Sequence, residues 1–160
     1  MASTAAATSK ATTFSITTLA GALLPLQAGI NSIVGRQLKA SIWASFFNFI
    51  IGTLALATVA LVFFRPPPTV KAASGVPWWA WLGGLIGAFY VFSATVSAPR
   101  IGTAALTAAG VCGSMLAAMI LDHYALAGCP RQPASLGRMA GVAMVVAGVF
   151  VIGITSSKNN

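Results

Sequence analysis

GAFYVFSATVSAPRIGTAALTAAG, residues 87–110, lies inside an apolar run that extends from about residue 77 to residue 121 and carries a single charge, Arg100. How that interruption is read decides the fold. A bilayer core of about 30 Å takes roughly 20 helical residues, so the run is long enough for two crossings. Proline has no N–H to continue a helix, and Gly102 follows close behind. Pro99-Arg100 is therefore predicted to be a two-residue turn that makes spans 77–98 and 101–122 adjacent antiparallel neighbours.

Working outward, comparable runs occur at about 12–34, 41–64 and 137–155. The chain has 160 residues, is 58% hydrophobic and 6% charged, and has a mean hydropathy of +0.89, too apolar for the surface of a soluble domain. The reading is an all-α membrane protein: a disordered N-terminal tail over 1–11, a five-span domain over 12–155 and a C-terminal tail over 156–160. The first run is longer than the core of a signal peptide and four more follow it, so it is read as a span. A net charge of +8 would suggest nucleic acid in a soluble protein, but all nine Lys and Arg fall in tails, loops or span ends. No nucleic-acid partner is expected; the partner is the lipid bilayer. Trp78, Trp79 and Trp81 mark one headgroup layer. Cys112 and Cys129 are read as free thiols.

Small residues recur every fourth position in span four at Ala105, Ala109, Gly113 and Ala117, a smooth ridge that lets another helix approach closely. Ala80, Gly84 and Ala88 do the same in span three, and Gly141 and Gly148 lie two turns apart in span five. The span-four ridge suits either packing within the chain or a dimer interface.

Polar side chains inside spans need partners or water, since a lone amide in hydrocarbon costs several kcal/mol. Gln27 and Asn31 share a face at i, i+4, and Gln27 lies about 6 Å past the middle of its span. Pro25 withholds a donor from the carbonyl of Gly21, so these two residues are the expected hinge. Amides beside a bend suggest a substrate cavity, to which Asn48, the Tyr90, Ser93, Ser97 stripe and Ser114 are added; interhelical polar glue is the other reading. Ser114 and Thr107 carry little weight alone, because an isolated hydroxyl in a helix bonds its own preceding turn.

Asp122 is the only carboxylate in the chain and His123 the only histidine. Two-carboxylate chemistry is excluded by count, and no phosphate-binding loop is present. The chain is read as no enzyme, with no metal and no cofactor. Asp122 suits a loop cap or an ion pair with Arg131 or Arg138, with coupling to transport as its alternative role.

LQAGINSIVGRQL, FFNFIIGTLAL, PWWAWLGGLIGAFYVFSATVSAPRIGTAALT, LDHYALAGCP and LGRMAGVAMVVAGVF, in this order and spacing, resemble the YdcZ-like branch of the drug/metabolite transporter superfamily. The resemblance covers residues 14 to 155. It implies a five-span protein of the bacterial inner membrane, half the size of ten-span relatives, that pairs to complete the set. Two departures stand out. Related small multidrug exporters use a glutamate in span one to exchange protons for cations, and this chain has no glutamate; Ser114 stands where the resemblance leads one to expect a glutamine.

The expected function is that of a small secondary transporter, an exporter that moves a small polar or amphipathic solute by alternating access at a dimer cavity. A passive channel formed by a dual-topology dimer, or a structural subunit of a membrane complex, are the alternatives. Lys10, Arg65, Lys71, Arg131 and Arg138 fall on one side and Arg36, Lys39, Arg100 and Lys158 on the other. So even a balance predicts insertion in both orientations and an antiparallel homodimer.

Overall fold

The computed structural model describes residues 2–64, 66–128 and 131–157, so Arg65, Cys129 and Lys158 lie outside the described residues. Every regular element among them is helical: α1 (Ala2–Gln37), α2 (Ser41–Phe63), α3 (Val70–Ser74), α4 (Gly83–Tyr124) and α5 (Leu136–Ser157), with 3-10 turns at Trp78–Leu82 and Leu126–Gly128. Four helices are long and apolar enough to cross a membrane, the third running from Trp78 to Tyr124. Their large side chains, such as Leu56, Phe63, Leu85, Phe89 and Phe150, are exposed all along them. Water does not tolerate an apolar surface of that extent, and lipid does.

Two boundaries differ from expectation. α1 begins at Ala2, so residues 2–11, expected as a disordered tail, are helical. Alanine is the strongest helix former, and hydroxyls just beyond the stretch bond back to it, Thr13 Oγ1 donating to the Ser9 carbonyl at 2.9 Å and Ser15 Oγ to the Ala11 carbonyl at 3.0 Å. Pro99-Arg100 is not a turn: both residues stay within α4, and the helical backbone breaks at Gly102, with φ 77° and ψ 157°. Only glycine adopts that conformation readily, whereas the fixed φ of proline fits a helix.

The chain forms two compact units, residues 27–99 and residues 1–26 with 100–160. In the first, α1, α2 and the start of α4 meet through small side chains. Ala28, Asn31 and Ser32 on α1, Ala44 and Ser45 on α2, and Ala94, Thr95 and Ala98 on α4 are all buried, those of α1 and α4 at helical spacing. A methyl group on Gly35 would lie 3.3 Å from Ser41 Cα, so any side chain there would push the two helices apart by a few tenths of an ångström. The α1–α2 turn closes by a Schellman pattern: Ala40 N donates to the Gly35 carbonyl at 3.0 Å and Lys39 N to the Arg36 carbonyl at 3.2 Å. Lys39 takes the left-handed position, φ 57°.

In the second unit no described residue is fully buried. Its best-defined polar contacts tie the end of α4 to the start of α5. Gln132 N donates to the Asp122 carbonyl at 2.9 Å, and Ser135 Oγ accepts from Arg138 N at 3.3 Å as a helix cap.

Candidate functional site

Gln27 and Asn48, both foreseen as cavity residues, are brought together. Gln27 Nε2 donates to Asn48 Oδ1 at 3.1 Å, joining α1 to α2. The pair is only part-buried, so each amide keeps further hydrogen-bonding capacity toward the space beside it. One turn on, Asn31 is 6% exposed. This cluster sits just past Pro25, through which α1 remains helical.

The stripe on α4 is placed differently from its neighbours. Ser93 and Ser97 are half-buried and Tyr90 is 46% exposed, while Ala94, Thr95 and Ala98 carry the packing. Thr95, 1% exposed, was not foreseen, nor was Ser32. Ser32 Oγ donates toward the Ala28 carbonyl at 2.7 Å and the Thr95 carbonyl at 3.2 Å, which ties α1 to α4. Thr95 Oγ1 in turn donates to the Val91 carbonyl at 2.8 Å. The signal for both was size: Ala28, Ser32 and Gly35 on α1 and Ala94 and Ala98 on α4 are small residues at helical spacing. The ridge expected on span three lies a turn early, since Ala80 and Gly84 are exposed and Ala88 only half-buried.

Beside this layer, at the α1–α2 turn, lies an open cleft of about 250 Å³. Ser32, Gly35, Arg36, Lys39, Ser41 and Thr95 line it, so two cations face a cleft with no acidic residue in its wall. Neither cation was foreseen as a site residue.

The remaining candidates lie elsewhere. Ser114 belongs to the other unit, and its hydroxyl donates to the Val111 carbonyl at 3.0 Å; Thr107 Oγ1 likewise donates to the Thr103 carbonyl at 2.7 Å. Both behave as isolated helix hydroxyls do. Ala109, Gly113 and Ala117 are exposed and Ala105 half-buried. Asp122 Oδ2 accepts from Arg138 Nη2 at 2.8 Å, and Arg138 Nη1 also donates to the Gln132 carbonyl at 3.1 Å. His123 Nδ1 accepts from Ala134 N at 3.4 Å. The chain's one carboxylate thus pins the loop before α5.

The family model described as "Putative inner membrane exporter, YdcZ" matches residues 12–151. The inner membrane protein YdcZ of Escherichia coli (strain K12) is 26% identical over 135 residues, covering 79% of this chain and 90% of that protein. No solved structure matches.

Proposed function

The chain belongs to the YdcZ family of inner-membrane exporters and is a multi-pass inner-membrane protein, and on that premise we propose that it is a small secondary transporter working as a homodimer. The observation that carries this reading is the Gln27–Asn48 amide pair with Asn31 beside it, a polar surface held within helices that otherwise show apolar side chains outward. A hydrogen bond between membrane helices contributes only about 0.6–2 kcal/mol, a poor return for two amides if packing alone were their role. Amides and hydroxyls suit a small polar or amphipathic solute, with Tyr90, Ser93 and Ser97 offering further contacts along α4. Gly21 and Pro25 are the proposed hinge, because the missing N–H leaves one fewer bond to resist bending.

The reading includes five crossings. A 47-residue helix would be roughly 70 Å long, more than twice a bilayer core, and the break at Gly102 leaves segments of bilayer length on both sides. An odd number of crossings with nearly balanced Lys and Arg supports two copies inserted oppositely, the arrangement other transporters reach through inverted repeats. The exposed small residues at Ala109, Gly113 and Ala117 are the proposed contact between copies.

Reconstitution in proteoliposomes with fluorescent reporters of pH and voltage tests the function. Saturable solute flux with counter-transport is expected; ion currents that do not saturate would identify a channel instead. Cysteine labelling at both tails, in intact and permeabilised cells, tests the orientation. Each tail should be labelled from both sides, and access from one side alone would end the dual-orientation reading.

A further inference from the structure

We propose that the cleft at the α1–α2 turn binds an anionic head group, a phosphate or a carboxylate, gripped by Arg36 and Lys39 at the membrane surface. Arg36 and Lys39 are exposed, and both line the same open cleft of about 250 Å³, just under the roughly 300–1,000 Å³ of pockets for drug-sized ligands, a size suited to a head group. Among the described residues no acidic side chain neutralises them. The chain's single carboxylate, Asp122, is held by Arg138, and no acidic residue lies in the first turn of α2.

A third source of positive potential points into the same place. α2 starts at Ser41 behind Ala40, whose side chain caps nothing, so no side-chain oxygen offsets the partial positive charge of the helix start. Ala40 and Ser41 both line the cleft. The floor contributes differently, because the Ser32 and Thr95 hydroxyls already donate to backbone carbonyls. Charged donors are left to the rim, at Arg36 and Lys39, with the Ser41 hydroxyl beside them. That arrangement recognises charge at the outer end and leaves the remainder of a ligand free to extend away. Basic pockets between membrane helices hold phospholipid head groups by such chemistry, and a soluble phosphate or carboxylate presents the same group.

The test uses the full chain in neutral detergent micelles and does not depend on transport. Inorganic phosphate is titrated in one arm, and short-chain phosphatidylglycerol against phosphatidylcholine in the other, followed by thermal unfolding and native mass spectrometry. Saturable stabilisation by phosphatidylglycerol alone assigns a lipid; saturation by phosphate as well assigns a soluble anion. Either supports the site. Arg36→Gln and Lys39→Gln should each weaken binding about tenfold. Gly35→Ala, which keeps both charges but adds a methyl 3.3 Å from Ser41 Cα, should weaken it too. Lys71→Gln, at a cation of α3 outside the cleft, should leave it unchanged. Circular dichroism checks each fold, and because Lys39→Gln and Gly35→Ala act on charge and shape separately, misfolding of one leaves the other decisive. Absence of saturable binding of either ligand, or an equal loss in Lys71→Gln, overturns the proposal.

Discussion

Residues 27–99 contain every described residue that is fully buried, whereas residues 100–160 contain none. Both regions are equally apolar in character and both are helical, so hydrophobicity does not separate them. Size does. In residues 27–99 alanine, serine, threonine and glycine stand where three helices meet, and dispersion between close backbones replaces the hydrophobic drive that lipid removes. In residues 100–160 the small residues Ala109, Gly113 and Ala117 are exposed, and polar contacts gather at the loop that leads into α5. One region is packed against itself; the other presents faces that lipid or a second copy must cover.

The largest expected effect breaks the comparison directly. Ala44→Leu adds bulk at a site 2% exposed and should destabilise the protein by about 3 kcal/mol in a reversible detergent unfolding assay. Ala109→Leu, a matched change on the exposed ridge, should cost under about 0.5 kcal/mol while shifting the proposed dimer to monomer in analytical ultracentrifugation. Equal losses in the two variants would mean that both regions have cores. Next comes Gly102→Ala, which places a side chain at φ 77° and ψ 157°. No atom lies within 4 Å of the added methyl, so the expected loss of about 2 kcal/mol is backbone strain alone. If the variant is as stable as the parent, the break is not fixed by glycine.

Gln27→Leu separates stability from function within the packed region. Losing the Gln27–Asn48 bond should cost about 1 kcal/mol, yet solute flux in proteoliposomes should fall at least tenfold. Normal flux per folded molecule would make the pair packing glue.

How much of this was legible beforehand follows from the same comparison. Hydropathy marks where the membrane helices are, and a break near Pro99 follows from proline and glycine chemistry, although the bend settles on Gly102 because only that residue reaches positive φ cheaply. Gln27 and Asn48 were visible as polar residues in apolar runs. Asp122 was legible as a loop cap or as the partner of Arg131 or Arg138, and it is Arg138 that pairs with it. Ser32 and Thr95 were not foreseen, because in lipid the outward face is as apolar as the inward one and the usual 3.6-residue hydrophobic rhythm disappears. The cleft was invisible for another reason. Arg36 and Lys39 read as ordinary loop cations until the Schellman turn folds them over the start of α2.

In the open region, Asp122→Asn should cost less than any change above in the packed region or at Gly102. The Arg138 side chain is 40% exposed and that of Asp122 24%, so solvent screens the pair and its contribution is about 0.5 kcal/mol. Flux should be unchanged, since the carboxylate pins a loop. Loss of proton-coupled uptake at normal abundance would instead make Asp122 the coupling group.

An equally small effect has the opposite sign and returns to the packed region. Lys39 occupies the left-handed position of a Schellman turn, where glycine is the usual residue. A side chain there costs about 1–2 kcal/mol, while glycine loses about 0.5–1 kcal/mol more conformational entropy on folding. Lys39→Gly should therefore stabilise the protein by roughly 0.5 kcal/mol. The same change removes one of the two cations of the cleft, so anion binding should weaken even as the fold gains. Unfolding and phosphate titration on one preparation read both signs. If stability falls together with binding, the lysine stem supports the turn by packing along it, and its left-handed backbone is no burden. If stability rises while binding is lost, a strained lysine sits where a glycine would fold better, which is the mark of a residue placed for its charge.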